Sequence, residues 1–231
     1  LLILISSSIV QGQQYQQNNS ASSTGNNCFI LTPDQSNTTG QIWYNQQIDL
    51  SQSFELYATL NFGVKDTTGG NGISFSFHQG GILAGVPSPG NMGYNGITPS
   101  LVVEMDTYQN TANSDPADDH VSLIKNGNNS HTSSSNLVGP VITQNLEDGS
   151  DHQLHVKWDP SINNLKVWLD CSLVIDYTDD IVNSVFGSDP NVNWGFTGGT
   201  SSETNLQTVC INYSSEEPGL PDQTTCAGSP I

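Results

Sequence analysis

The sequence predicts an all-β sandwich, and three observations lead there. Short runs that alternate apolar and polar residues, bounded by Gly, Asn, Asp and Pro, recur from Cys28 to Tyr213, as strands joined by turns do. No window carries a convincing helical period apart from one turn's worth of pattern at residues 179–186. The length, 231 residues, suits one large β domain with a short tail and allows a sizeable core.

Taken in order, residues 1–12 run from Leu1-Leu2-Ile3-Leu4-Ile5 through small residues to Gly12, the pattern at the end of a secretory signal peptide, and are too short to span a bilayer. A Gln/Asn/Ser-rich spacer follows, so residues 1–25 are expected to stand outside the fold and residues 26–214 to form the domain. Within it, Cys28-Phe29-Ile30-Leu31-Thr32 is the first strand, followed by Gly40 to Tyr44 and Ile48 to Leu50. Phe54 to Phe62 alternates cleanly, as an antiparallel strand with one wet face does. A Gly-rich loop, Gly69-Gly70-Asn71-Gly72, feeds the alternating Ile73-Ser74-Phe75-Ser76-Phe77. Residues 80–96 form a long loop without strand character, a length that is often functional. Leu154 to Pro160 and Leu165 to Asp170 read as a hairpin in which Trp158 and Trp168 are core or sheet-face residues. Gln207 to Tyr213 is the closing strand, and residues 215–231 read as a linker and the start of a further, Ig-like module of the same polypeptide.

Charge narrows the partners. The formal net charge is -18, from 22 acids against four lysines and no arginine. Nucleic acid is excluded because phosphate binding needs clustered cations, and an anionic membrane surface is excluded for the same reason. An acidic chain with an export signal points to a secreted or surface protein that tolerates or needs divalent cations. Four cysteines (Cys28, Cys171, Cys210, Cys226) permit disulfides in that setting, and three connectivities are open.

The chemistry concentrates in residues 103–120, V-E-M-D-T-Y-Q-N-T-A-N-S-D-P-A-D-D-H. A strand sends alternate side chains to one face, so Glu104 and Asp106 point one way and Val103 and Met105 the other. Two acids on one face, followed by Asn110, Asp115 and His120, form a ligand set. Hard oxygens suit calcium, and a mixed carboxylate and imidazole set suits a divalent transition ion such as manganese. The remaining histidines, His78, His131, His152 and His155, show no partner spacing and read as structural or exposed.

This spacing, Glu104, Asp106, Tyr108, Asn110, then Asp115 and His120, resembles the metal signature of the L-type (legume-type) lectins. Asn193 to Asn205 also resembles that family, at the strand leading into its specificity loop. The resemblance implies a concanavalin A-like jelly roll of two antiparallel sheets and a non-enzymatic, calcium-dependent glycan-binding module of an adhesin. It places Glu104, Asp106, Asp115 and His120 on a transition ion (Mn2+ or another), and Asp106, the Tyr108 carbonyl, Asn110 and Asp115 on Ca2+. Ser130 matches a position that reaches the transition ion through water. Asn110 would also donate to the sugar, with calcium fixing its direction. The family's first binding loop has a small residue and an Asp joined by a cis peptide. Gly70 and Asn71 stand there in this chain, and Asn71 accepts without charge, so its bonds to hydroxyls are weaker. Gly90, or Gly93, matches a backbone donor, Tyr94 is a candidate stacking platform for a sugar face or else an ordinary loop anchor, and Gly199, Thr200 and Ser201, with Gly198, are expected at the rim. The family's neighbouring first and last strands favour a Cys28–Cys210 bond. Two other readings stand beside this one. A glycoside hydrolase of the same fold needs two carboxylates, typically as E-x-D-x-x-E, but Gln109 occupies the last acid's place. A metal-stiffened structural module binds no sugar at all.

Overall fold

The computed structural model describes residues 14–85 and 91–217. In chain order the first strands are β1 (Tyr15–Asn19), β2 (Ser22–Gly25), β3 (Cys28–Thr32), β4 (Thr39–Tyr44), β5 (Ile48–Asp49), β6 (Phe54–Asn61), β7 (Gly72–His78) and β8 (Ser100–Asp106). There follow β9 (His120–Lys125), β10 (Asn136–Ile142), β11 (His152–Asp159), β12 (Asn164–Leu169), β13 (Ser172–Thr178), one helical turn α1 (Ile181–Ser184), β14 (Asn191–Gly199) and β15 (Gln207–Ser214). They build two antiparallel sheets, ordered β1-β4-β14-β7-β8-β9-β10, with β5 on β14, and β13-β12-β11-β6-β15-β3-β2. The expected sandwich, its hairpin at β11–β12 and the helical turn expected at residues 179–186 are all present.

Side-chain parity explains the layers. Phe54, Leu56, Ala58 and Leu60 of β6 point into the space between the sheets, and so do Ile73, Phe75 and Phe77 of β7 and Leu101, Val103 and Met105 of β8. Burying each such side chain contributes about 1.5–3 kcal/mol, which makes this core the main stabilising element. Strands β7 and β8 are nevertheless buried on both faces. Residues 79–85 and 91–99 pack across the outer face of the eight-stranded sheet. There Trp43, Met92, Tyr94, Ile97, Val102 and Ile124 form a second, smaller core. The Trp43 indole donates to the Ala84 carbonyl at 2.8 Å and ties that loop down.

Cys28 and Cys210 are cross-strand partners on β3 and β15 and are disulfide-bonded, the pairing that the resemblance implied. The domain boundary needs correction. Residues 15–19 and 22–25, expected to lie outside the fold, are strands hydrogen-bonded to β4 and β3. Edge strands are held by backbone groups, so Gln and Asn side chains do not prevent pairing, and the ring of Tyr15 packs edge-on against Phe29 and Trp194. The C-terminal boundary also extends past 215. Glu217 is buried, and accepts from the Tyr15 hydroxyl and from Asn27 Nδ2. The signal-peptide reading of residues 1–12, Gly90 and the linker-side Cys226 lie outside the described residues.

Candidate metal centre and its rim

The site grows from the ends of β7, β8 and β9. Cross-strand register sets Asp106 opposite both Gly72 and His120, and Glu104 opposite Ser74 and Ser122. Glu104, Asp106 and His120 therefore share the outer face, as their spacing predicts. Residues 107–119 then fold back on them. The Tyr108 N–H donates to Asp106 Oδ1 at 2.8 Å, and the Asn110 N–H donates to Asp115 Oδ2 at 2.7 Å. A single 3-10 turn at Thr111–Asn113 and a left-handed Ser114 (φ 68°) reverse the chain so that Asp115 returns beside the strand acids.

The outcome is a buried cluster in which Asp106, Asp115 and His120 offer ligand atoms within 4.8 Å of one another, as do Glu104, His120 and His131. His131 belongs to this second trio, contrary to the expectation that it is structural or exposed. Its side chain is 3% exposed, and Nε2 lies 3.6 Å from Glu104 Oε2, 3.3 Å from Asp115 Oδ1 and 3.0 Å from His120 Nε2. Ser130, the neighbour that the resemblance nominated, turns instead to Thr132, at 3.2 Å between hydroxyls. No spacing rule reaches His131, because it arrives on the loop after β9, docked by its own N–H on the Asn113 carbonyl at 2.9 Å.

The electrostatics are those of a site short of positive charge. Burial pushes the Glu104 carboxyl up to about 7, against the pull of Tyr94 and His131, and Asp115 adds repulsion. Asp106 is raised well above the usual carboxylate range by burial and then by the Glu104 charge. Burial lowers His120. It works against the His131 imidazolium too, but the neighbouring Asp115 and Glu104 carboxylates outweigh it and raise that group. Glu104 Oε2 and Asp115 Oδ1 are buried and have no hydrogen-bond partner among the described residues. Orphaned carboxylate oxygens converging with imidazole nitrogen are costly unless a cation binds them, so the donor set fits the implied metals.

The rim departs further from expectation. Tyr94 is 1% exposed and its hydroxyl donates to Glu104, so it supports the carboxylate cluster from the second core and offers no face to a sugar. Gly70 and Gly199 are buried; the Gly70 carbonyl accepts from Thr107 Oγ1 at 2.8 Å and that of Gly199 from the Asn71 N–H at 2.9 Å. A Cβ at Gly199 would stand 2.1 Å from the Asn91 carbonyl oxygen, so this glycine serves close packing of the long loop. Thr200 is fully buried and donates to the Gln35 carbonyl at 2.7 Å, which makes it a loop anchor. Ser201 is half-buried and bonds Glu203 Oε2 at 3.1 Å. Asn110 and Tyr108 are half-buried beside the cluster, and Gln109 is exposed. The cis peptides among the described residues are Thr98–Pro99 and Gly139–Pro140, so the Gly70–Asn71 bond is trans. Asn71 precedes Gly72, the cross-strand partner of Asp106, and is 2% exposed, yet its Nδ2 and Oδ1 both lack partners among the described residues. No helix among the described residues is long and apolar enough to cross a membrane.

Comparison with known proteins gives a match of residues 7–213 to the family model described as legume lectin beta-barrel domain. Basic winged bean lectin with Tn-antigen superposes with a TM-score of 0.69 and 21% identity, covering 86% of this chain and 90% of its own. Peanut lectin with a 9mer peptide gives 0.70 and 20%, covering 87% and 90%. The exoplasmic/lumenal domain of VIP36 in its Ca2+/Man-bound form gives 0.68 and 19%, covering 86% and 81%. At these identities the likeness to the three structures is one of fold.

Proposed function

The chain belongs to the legume-type (L-type) lectin family, and on that premise we propose that it is a carbohydrate-binding module whose glycan site is organised by calcium beside a transition ion. Asp106, the Tyr108 carbonyl, Asn110 and Asp115 would hold calcium, and Glu104, Asp106, Asp115 and His120 the transition ion. The metals would neutralise the clustered carboxylates and fix the side chains that face the sugar. Asn110, with its oxygen on calcium, would aim its amide N–H outward.

One observation carries the reading. Buried polar atoms without partners among the described residues lie where β7 begins and β8 ends, namely Glu104 Oε2, Asp115 Oδ1 and both polar atoms of Asn71. Cations account for the first two and a ligand hydroxyl for the last. The neighbours with Tn-antigen and with mannose support a sugar as that ligand. The module is read as non-enzymatic, since exposed Gln109 stands where a hydrolase of this fold has its acid. A secreted or surface setting agrees with the Cys28–Cys210 bond. A glycan array with and without EDTA tests the proposal. Hits that vanish on chelation and return with calcium are expected; an array blank under every metal condition leaves only a metal-stiffened structural module.

A further inference from the structure

The transition-ion position holds a second imidazole that the L-type signature does not contain. His131 is seated there by contacts on three sides. Its N–H donates to the Asn113 carbonyl at 2.9 Å, its carbonyl accepts from Asn136 Nδ2 at 3.2 Å, and Nδ1 lies 3.3 Å from the Ser122 hydroxyl. With Nδ1 occupied by Ser122, Nε2 is the atom that faces the cluster. His120 is arranged in the same way, with Nδ1 3.2 Å from the Asp118 carbonyl. A carbonyl only accepts, so that bond puts the His120 proton on Nδ1 and leaves its Nε2 lone pair aimed at His131. Backing of the far ring nitrogen is the arrangement that orients metal-bound histidines.

The separations are those between ligands of one ion. Donors about 2.0–2.1 Å from a metal stand about 3 Å apart at a right angle and about 3.4 Å apart at the tetrahedral angle. From His131 Nε2, the distances to His120 Nε2, Asp115 Oδ1 and Glu104 Oε2 are 3.0, 3.3 and 3.6 Å. The last two oxygens are buried and lack hydrogen-bond partners among the described residues. We propose that His131 binds the transition ion directly, and that the resulting two-imidazole, carboxylate set takes zinc in preference to manganese. Imidazole suits zinc, whereas carboxylate and water ligands suit manganese, and manganese is the weakest binder of the first-row series for a given nitrogen-containing site. The inference rests on the metal reading given above and adds to it a ligand and a selectivity.

The test loads calcium-replete, full-length protein with zinc and manganese offered at equal concentration, then measures bound metals by elemental analysis. Wild type is expected to hold calcium and zinc, and His131→Ser to keep calcium while losing at least about tenfold in its zinc-over-manganese preference. Spin-echo spectroscopy of manganese-loaded wild type counts coordinated imidazoles without any variant, and two are expected. A single imidazole, or an unchanged metal preference in His131→Ser, overturns the role of His131 while leaving the two-metal site intact. Wild type that binds neither calcium nor a transition ion overturns the site itself, and the inference with it.

Discussion

His152 and His131 each sit beside carboxylates with side chains 3% exposed, one at the seven-stranded sheet and one at the eight-stranded sheet. Around His152 every demand is met by the protein. Nδ1 lies 2.7 Å from Asp170 Oδ2, Nε2 lies 3.0 Å from the Leu146 carbonyl, and Asp170 also accepts from the Gln153 N–H at 2.8 Å and from Gln144. Around His131 the carboxylates outnumber their donors, and two buried oxygens have no partner among the described residues. An imidazole beside an acid is thus uninformative alone. What separates an internal ion pair from a ligand set is whether the oxygens are already satisfied.

The largest effect that tests this contrast is Asp106→Asn. It removes one charge from the crowded end of β8 with little change in volume. Metal binding and glycan binding should both be lost, by about 100-fold or more, as read by elemental analysis and by titration with an array-selected glycan. Because Asp106 is held well above its ordinary pKa mainly by burial and the Glu104 charge, the metal-free variant should melt no lower than metal-free wild type. Unchanged metal content would contradict the ligand assignment. Chelation is the next largest effect. An ion present at about 100 times its Kd stabilises the fold by about 2.7 kcal/mol, worth about 5–10 °C in Tm for a domain of this size. Wild type should lose that amount in EDTA, and Asp106→Asn should show no shift.

Much of this contrast was legible in the sequence and part was not. Alternation at Phe54–Asn61 and the fixed spacing from Glu104 to His120 gave the strands and four side chains of the cluster, because strand parity and a short return loop translate spacing directly into direction. Three things were hidden. His131 comes from a separate loop whose approach depends on a tertiary bond to the Asn113 carbonyl. Tyr94 reads as a loop aromatic free to meet a sugar, whereas the second core, formed once the loop folds over the sheet, draws it inward onto Glu104. The polar strands at residues 15–25 carry no apolar pattern, since their pairing is a backbone matter.

Tyr94→Phe sharpens the contrast from the supporting side. It deletes the hydroxyl bonded to Glu104 and keeps the ring that fills the second core. Loss of such an outer contact should weaken transition-ion affinity about tenfold, with the melting temperature of the metal-free protein nearly unchanged. An effect on glycan affinity at saturating metal, without any effect on metal affinity, would restore Tyr94 to the sugar face.

His152→Gln closes the series with the smallest effect, and it should be confined to stability. The hydrogen bond to Asp170 raises the His152 pKa above its ordinary value, helped by Asp148 at 3.4 Å and opposed by burial. Burial pushes Asp170 up, but the bonds from His152 and the Gln153 N–H outweigh it and hold the carboxyl below its usual range. For a group whose folded pKa is raised, the stabilisation is complete below the unfolded value of about 6.5 and is lost as pH rises through the folded one. The wild-type advantage over His152→Gln, on the order of 1 kcal/mol, should therefore be larger near pH 6 than near pH 9. Denaturant melts at the two pH values measure it. Metal content should be identical in the two proteins, because the His152 pair is satisfied within the protein and has no oxygen left to offer. A variant that lost metal would mean that the two histidine clusters are coupled through the fold, and satisfied oxygens would no longer separate an ion pair from a ligand set.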